Sequence, residues 1–327
     1  MNTASPGWSP VRRAPLAGVL LVLWLASAGL LATGPVRAQD STAAPAAAST
    51  EGTRPVPRGA TVELVERGFE FTEGPLWYRG QLLFTDIPAN TVYRWTPAEG
   101  ATVFMRPSGR ANGLAVDTSG HLLMARHEGQ VARRDSTGSV TPLAETYGGK
   151  RLNSPNDLTV ASDGTIYFTD PPYGVDDEAR ELSFAGVYRL SPSGTLTLLT
   201  KALARPNGIC LSPDDSTLYV NDSQAARVWA YDLTAEGDVT NQRAFAHPTD
   251  ADAEGTTDGM KVDAQGNLYT TGPGGVWVYG PDGTRRARIA VPKPPTNLAF
   301  GGPDRTTLYI TARPHVYRVS VNVPGAE

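Results

Sequence analysis

Six times between Glu73 and the C-terminus, apolar and polar positions follow one order: a polar residue, a short hydrophobic run, a tight turn, and a second hydrophobic run. The units open at Glu73-Gly74-Pro75-Leu76-Trp77, Asn112-Gly113-Leu114-Ala115-Val116, Asn156-Asp157-Leu158-Thr159-Val160, Asn207-Gly208-Ile209-Cys210-Leu211, Asp258-Gly259-Met260-Lys261-Val262 and Thr296-Asn297-Leu298-Ala299-Phe300. The period is two. In one unit Leu158 and Val160 face one way and Thr159 the other, Asp163-Gly164 turns the chain, and Ile166 and Phe168 resume the buried face. Turn pairs recur at Ser119-Gly120, Asp214-Asp215, Gln265-Gly266 and Asp282-Gly283, and no helical period runs through the segment.

The opening residues are 39, 44, 51, 51 and 38 positions apart. A period of about 40 to 50 residues with several strands per unit predicts an all-β chain folded as a six-bladed β-propeller. A seven-bladed ring and an open solenoid are the alternatives. The alternating segment Thr61-Val62-Glu63-Leu64-Val65 precedes the first unit and is spare. It is expected to join the last blade near Val316 to Val319 and close the ring, leaving no open sheet edge.

In a ring, the opening residues Glu73, Asn112, Asn156, Asn207, Asp258 and Thr296 converge on one axis. Asn and Asp also start strands because they tolerate tight turns, which explains any one of them. Two carboxylates facing each other are costly unless a cation intervenes, so the set points to a metal site. All-oxygen donors suit a hard cation and favour Ca²⁺, with Zn²⁺, Mn²⁺ or Mg²⁺ as alternatives. The four histidines show no HxxxH spacing that would hold zinc.

Composition adds an address and removes one class of partner. Residues 1–38 carry Arg12-Arg13, an apolar stretch over 16–31 and Val36-Arg37-Ala38, the layout of a cleaved export signal. The mature protein is therefore expected to be periplasmic or secreted, free of the membrane after cleavage, with Sec and twin-arginine export both open. Residues 39–60, rich in Ala, Ser, Thr and Pro, are expected to be a disordered linker, 61–322 the propeller and 323–327 a C-terminal tail. The three arginines of 1–38 leave 26 of the 29 basic residues against 33 acidic ones, which argues against nucleic acid. Cys210, the single cysteine, falls inside a hydrophobic strand and is expected to pack as an apolar side chain.

Five runs in order, Thr72-Glu73-Gly74-Pro75-Leu76-Trp77, Ser154-Pro155-Asn156-Asp157, Phe168-Thr169-Asp170-Pro171-Pro172-Tyr173-Gly174, Arg205-Pro206-Asn207-Gly208 and Asp258-Gly259-Met260, resemble the gluconolactonase, regucalcin and senescence-marker-protein family of six-bladed propellers. The resemblance covers about residues 61–322. It implies a divalent cation on the axis held by Glu73, Asn207 and Asp258, with Asn156 as a fourth ligand or a substrate contact. It also implies hydrolysis of a small-molecule lactone, a gluconolactonase-like activity, while related propellers hydrolyse phosphotriesters.

The chemistry that follows is metal-assisted attack of water on a lactone carbonyl, with Asp258 as proton acceptor and Glu73 as its competitor. No Gly-x-Ser-x-Gly elbow supports a serine nucleophile. Asn112 and Tyr173, the latter on the rigid Pro171-Pro172 loop, are candidate substrate contacts, and Asp157 and Asp222 candidate supports of the site. Asp222, Asp170 and Asp86 also end their strands alike, as recurrent turn formers would. His127 matches a family position, but Glu128 separates it from Gly129 and no substrate role is assigned to it. Lys261 is open to either face of its strand. A propeller that binds a ligand without catalysis is the reading from a different class.

Overall fold

A computed structural model describes residues 54–326; the expected export signal and residues 39–53 of the expected linker lie outside the described residues. Six four-stranded antiparallel sheets follow one another, each meandering outward from an inner strand. The inner strands are Thr72–Tyr78, Ala111–Val116, Leu158–Val160, Pro206–Leu211, Met260–Val262 and Asn297–Gly301, one for each repeat in the sequence. The predicted six-bladed propeller is the observed architecture.

The second strand of each blade is buried on both faces, which explains its nearly unbroken hydrophobicity. In Gln81–Asp86, Leu83 packs with Leu114 and Met124 of the second blade, while Leu82 and Phe84 pack with Tyr309 and Val316 of the sixth. Every other junction is filled in the same way: Leu123 with Phe168, Tyr167 with Val220, Tyr219 with Leu268, and Tyr269 with Leu308. Cys210 is buried in one of these clusters, and Trp229 shares another with Tyr231.

Closure follows the expected route. Glu63–Arg67 is the outermost strand of the last blade, pairing antiparallel with His315–Ser320 in the register Glu63 to Arg318 and Leu64 to Tyr317. The sequence boundaries move at both ends. Residues 54–60, assigned to the linker, lie against the last two blades: Val56 is buried there, and the Pro55 carbonyl accepts hydrogen bonds from Tyr269 and from the Asn322 amide. The segment assigned as a tail is also packed. Val323 is buried, and the Ala326 amide donates to the Val262 carbonyl.

At the axis, hydrogen bonds cross every junction among the described residues. The Thr85 hydroxyl donates to the Asn112 carbonyl (3.1 Å), the Gly113 amide to Asn156 (2.7 Å) and the Thr169 hydroxyl to Asn207 (2.6 Å). The Asn221 amide donates to the Asp258 carbonyl, the Gly259 amide to Thr296 (2.7 Å) and the Thr296 hydroxyl to Thr72 (2.8 Å). Two glycines permit the approach. A Cβ at Gly74 would stand 1.9 Å from the Asn112 carbonyl oxygen, and one at Gly208 would stand 2.2 Å from that of Asp258.

Deleting residues 61–66 removes the closing strand and exposes the edge of His315–Ser320. The melting temperature should fall by roughly 10 °C or more. Thermal unfolding by circular dichroism checks this, and an unchanged melt would mean that the ring holds without the added strand.

Candidate functional site

The axial hydrogen bonds engage the carbonyls of Asn112, Asn156, Asn207, Asp258 and Thr296, and in the first blade that of Thr72 beside Glu73. Glu73, Asn112, Asn156, Asn207 and Asp258 are all buried, none more than 7% exposed. Glu73 and Asp258 feel each other's charge. Burial, followed by the neighbouring Asp157, pushes the Glu73 carboxyl up to about 7, against a hydrogen bond from the Gly74 amide. Burial and then the Glu73 charge push Asp258 well above the usual carboxylate range. Asn207 donates to Asp258 and also reaches Tyr173, so these three form one connected group.

Two residues occupy this centre through a feature of the sequence that is simple in hindsight. After the opening residue, four units have glycine; the third has Asp157 and the sixth Asn297. Those two blades are three apart, hence opposite in a six-membered ring, and the Asn297 amide reaches across to the Asp157 carboxylate (3.4 Å). Asn297 also donates to Glu73. Thr296 is instead taken up by Thr72 and Thr311, so Asn297 holds the axial place assigned to Thr296 from the repeat. Asp157 is near enough for its charge to raise both Glu73 and Asp258.

Asp222 has other partners. Its carboxylate accepts the backbone amides of Ala204 (2.9 Å), Arg205 (3.1 Å) and Gln224 (3.1 Å), as Asp86 accepts those of Glu70 and Phe71. The expectation that Asp222 supports the axial set therefore gives way to the turn-former reading: it clamps the loop that enters the fourth blade. Asp170 does the same for Asn153, and its burial pushes its carboxyl up to about 7.

Tyr173 stands at the rim, 39% exposed, its hydroxyl against that of Ser223. Its loop is fixed from below: Ser154 donates to the Pro171 carbonyl and accepts the Gly174 amide. A Cβ at Gly174 would stand 2.6 Å from His127. His127 is buried beneath this loop with Nε2 3.1 Å from the Asn112 amide nitrogen, and the Asn112 Oδ1 is unpartnered. Burial, helped by Arg110, lowers the imidazole to about 4, so the ring is neutral at pH 7 and can accept the amide proton. The inserted Glu128, which argued against His127, pairs with Arg126 instead of displacing the ring.

Among the described residues, no three His, Cys, Asp or Glu side chains are grouped so as to hold a metal ion. A cation here would depend on amide oxygens together with the two carboxylates. The donors fit a hard ion: Glu73 and Asp258 are both buried, the Glu73 charge helps lift Asp258 and the Asp157 charge helps lift Glu73, and a positive charge among them would offset both effects. A separate cavity of about 480 Å³ lies at the opposite end of the axis, where Val116, Val160, Val262 and Phe300 end their strands. Lys261 lines that cavity, away from the carboxylates, which settles its face.

The chain belongs to the SMP-30/gluconolactonase/LRE-like family, whose model matches residues 71–313. It is 36% identical to a gluconolactonase of Zymomonas mobilis, over 81% of this chain and 82% of that protein. Among solved structures it resembles a gluconolactonase of Xanthomonas campestris (31% identity, TM-score 0.75, covering 84% of this chain and 92% of that one). It also resembles a calcium-binding regucalcin of Agrobacterium tumefaciens (26% identity, TM-score 0.69, 81% and 95%).

His127 makes stability depend on pH with a definite sign. Its folded-state value lies below the unfolded value, so the native state binds fewer protons between about pH 6.5 and 4, and stability falls as pH drops through that window. The loss should approach roughly 3 kcal/mol at its acid end. Chemical denaturation from pH 7 to 4 should show a shallower acid loss in His127→Gln than in the native protein. Parallel curves would place the ring in a solvated setting.

Proposed function

We propose that this protein is a metal-dependent lactonase that opens a sugar lactone by water attack. The observation that carries the reading is the pair of buried, mutually repelling carboxylates, Glu73 and Asp258, at the start of inner strands and beneath a rim formed in part by Tyr173. A non-catalytic scaffold has no use for so costly a pair. The named relatives, two gluconolactonases among them, support lactones as the substrate class.

A divalent cation held by Glu73, Asn156, Asn207 and Asp258 would supply Lewis acidity to the lactone carbonyl and lower the pKa of the attacking water. Ca²⁺ is favoured by the oxygen donors and by the description of the Agrobacterium relative as calcium-binding. Asp258 is assigned as the base. It shares Asn207 with the rim residue Tyr173, whereas Glu73 is engaged by Asn297 and the field of Asp157. The carboxylate takes a proton from water as the new C–O bond forms, and returns it to the ring oxygen as the old bond breaks. Tyr173 and the free Asn112 Oδ1 are placed to hold substrate hydroxyls, with the neutral His127 fixing the Asn112 amide. Export to the periplasm or medium, supported by the pattern of residues 1–38, completes the reading.

Hydrolysis of glucono-1,5-lactone, followed by proton release, should vanish in metal-stripped protein and return with Ca²⁺, Zn²⁺ or Mn²⁺. Asp258→Asn should lower kcat by about a thousandfold in the metal-loaded protein. The same variant, metal-free at pH 8, should melt higher than the native chain, because one of two facing charges is gone. Near-normal kcat in Asp258→Asn removes it as the base. Absence of turnover with every cation removes the lactonase reading.

A further inference from the structure

Arg313 follows Ala312, the last residue of the strand Thr307–Ala312, in the turn that leads to His315–Ser320. Its place at the mouth of the axial site follows from register. Thr311 pairs with Asn297, whose side chain bonds Asp157 and Glu73 at the centre, and Arg313 lies two residues farther toward the rim. The guanidinium carbon stands 4.0 Å from the centroid of the Phe71 ring, and Phe71 is two residues before Glu73. The Phe71 backbone is itself fixed, its amide held by Asp86 (3.1 Å).

The setting is unlike that of the arginines on the outer strands. Arg243 pairs with Asp232, Arg286 with Asp282 and Arg318 with Glu63. Arg313 is exposed and makes no ion pair or hydrogen bond among the described residues; neighbouring Glu70, on the same rim, makes none with it. Stacking occupies one face of the guanidinium and leaves its edge N–H groups for a ligand. Its charge reaches both Glu73 and Asp258, lowering each against the larger effect of burial.

We propose that Arg313 is the specificity-determining residue for a lactone that carries a second, ionised carboxylate, an aldarolactone in place of a neutral aldonolactone. This rests on the lactonase reading. With a divalent cation offsetting Glu73 and Asp258, a rim cation stacked on a fixed ring gives the mouth a surplus positive charge that attracts a substrate anion. The planar guanidinium fork matches a carboxylate in two hydrogen bonds. One cation beside two acids suits a monoanion better than a doubly charged phosphate.

The test compares galactono-1,4-lactone with galactaro-1,4-lactone, which differ at one end by CH₂OH against COO⁻. In the metal-loaded full chain, kcat/KM for the anionic lactone should exceed that for the neutral one. Arg313→Gln should lower the anionic-to-neutral ratio by about tenfold or more, chiefly through KM. Arg285→Gln, which removes the same charge from the outer strand Arg285–Ala290, should leave the ratio unchanged. Calorimetric binding of both lactones to Asp258→Asn protein, with and without Arg313→Gln, reads the same preference without turnover. A loss of anionic binding there supports the proposal even if no lactone is hydrolysed. An equal ratio in the native and Arg313→Gln proteins, by rate and by binding, overturns it.

Discussion

The hydrogen bonds that cross the six junctions at the axis are the constraint on which the rest depends. Each joins a backbone carbonyl at or next to the opening residue of one blade to a donor on the blade beside it. A propeller must bring inner strands close without a continuous sheet between them, and buried carbonyls left without donors would each be costly. The need selects Thr at positions such as Thr85 and Thr169, where a side-chain hydroxyl can reach sideways, and Gly at Gly74 and Gly208, where a Cβ would collide with the neighbouring backbone. The site is a consequence of this arrangement. With their carbonyls used in the ring, Asn112, Asn156, Asn207 and Asp258 are left with buried side chains free of that duty.

That geometry makes the site electrostatically expensive and leaves it pre-organised. Glu73 and Asp258 start inner strands held by backbone contacts, so neither can withdraw from the other as a surface pair could. The protein places amides around them instead: Asn207 on Asp258, and Asn297 on Glu73 and Asp157. Amides donate a hydrogen bond to a carboxylate while retaining an oxygen for a cation, which a lysine or arginine could not do. Charged compensation comes through space from Arg313, an exposed side chain. The surrounding junctions, packed with buried Leu, Phe, Tyr and Val, supply the stability against which this strain is held.

Much of the fold was legible because the same physical demand is met six times in one chain. Alternation, turn pairs and a recurrent polar opening residue located every inner strand, and the spare strand at 61–65 located the closure. Where a residue follows the repeat its burial was legible: Glu73, Asn207 and Asp258 are all buried at the inner end of their blades. It was obscured where a blade departs from the repeat. Thr296 looked like the sixth axial residue because it opens its unit, yet its hydroxyl is drawn into the ring by the Thr72 carbonyl and Asn297 takes the centre. Asp222 looked like part of the site because it ends an inner hairpin, but its carboxylate answers the local demand of exposed loop amides. Arg54 to Ala60 looked disordered by composition, yet buried Pro55 and Val56 and the hydrogen bonds of Asn322 and Tyr269 to the Arg54 and Pro55 carbonyls seat them. Such choices depend on which of two nearby partners is closer, a quantity that spacing does not contain.

Different parts of the chain set the reaction and its selectivity. Glu73 lies on an inner strand and Asp258 just before one, where a shifted residue would break a junction. The rim is built from hairpin turns and connections, Pro171 to Gly174 in the third blade and Arg313 in the sixth, whose contacts run to side chains and loops. A change in the rim leaves the axial hydrogen bonds intact, so charge and shape at the mouth can vary while the centre stays the same. His127 is the exception that couples the two. It is buried under the Gly174 turn and bonded to Asn112, whose carbonyl is part of the ring, so a displaced rim loop in the third blade is felt at an axial amide of the second. The Tyr173 loop is in this way tied to the orientation of Asn112, and the Arg313 turn is anchored to the first blade by the Phe69 amide on the Pro314 carbonyl and the Thr72 hydroxyl on the His315 carbonyl (2.9 Å).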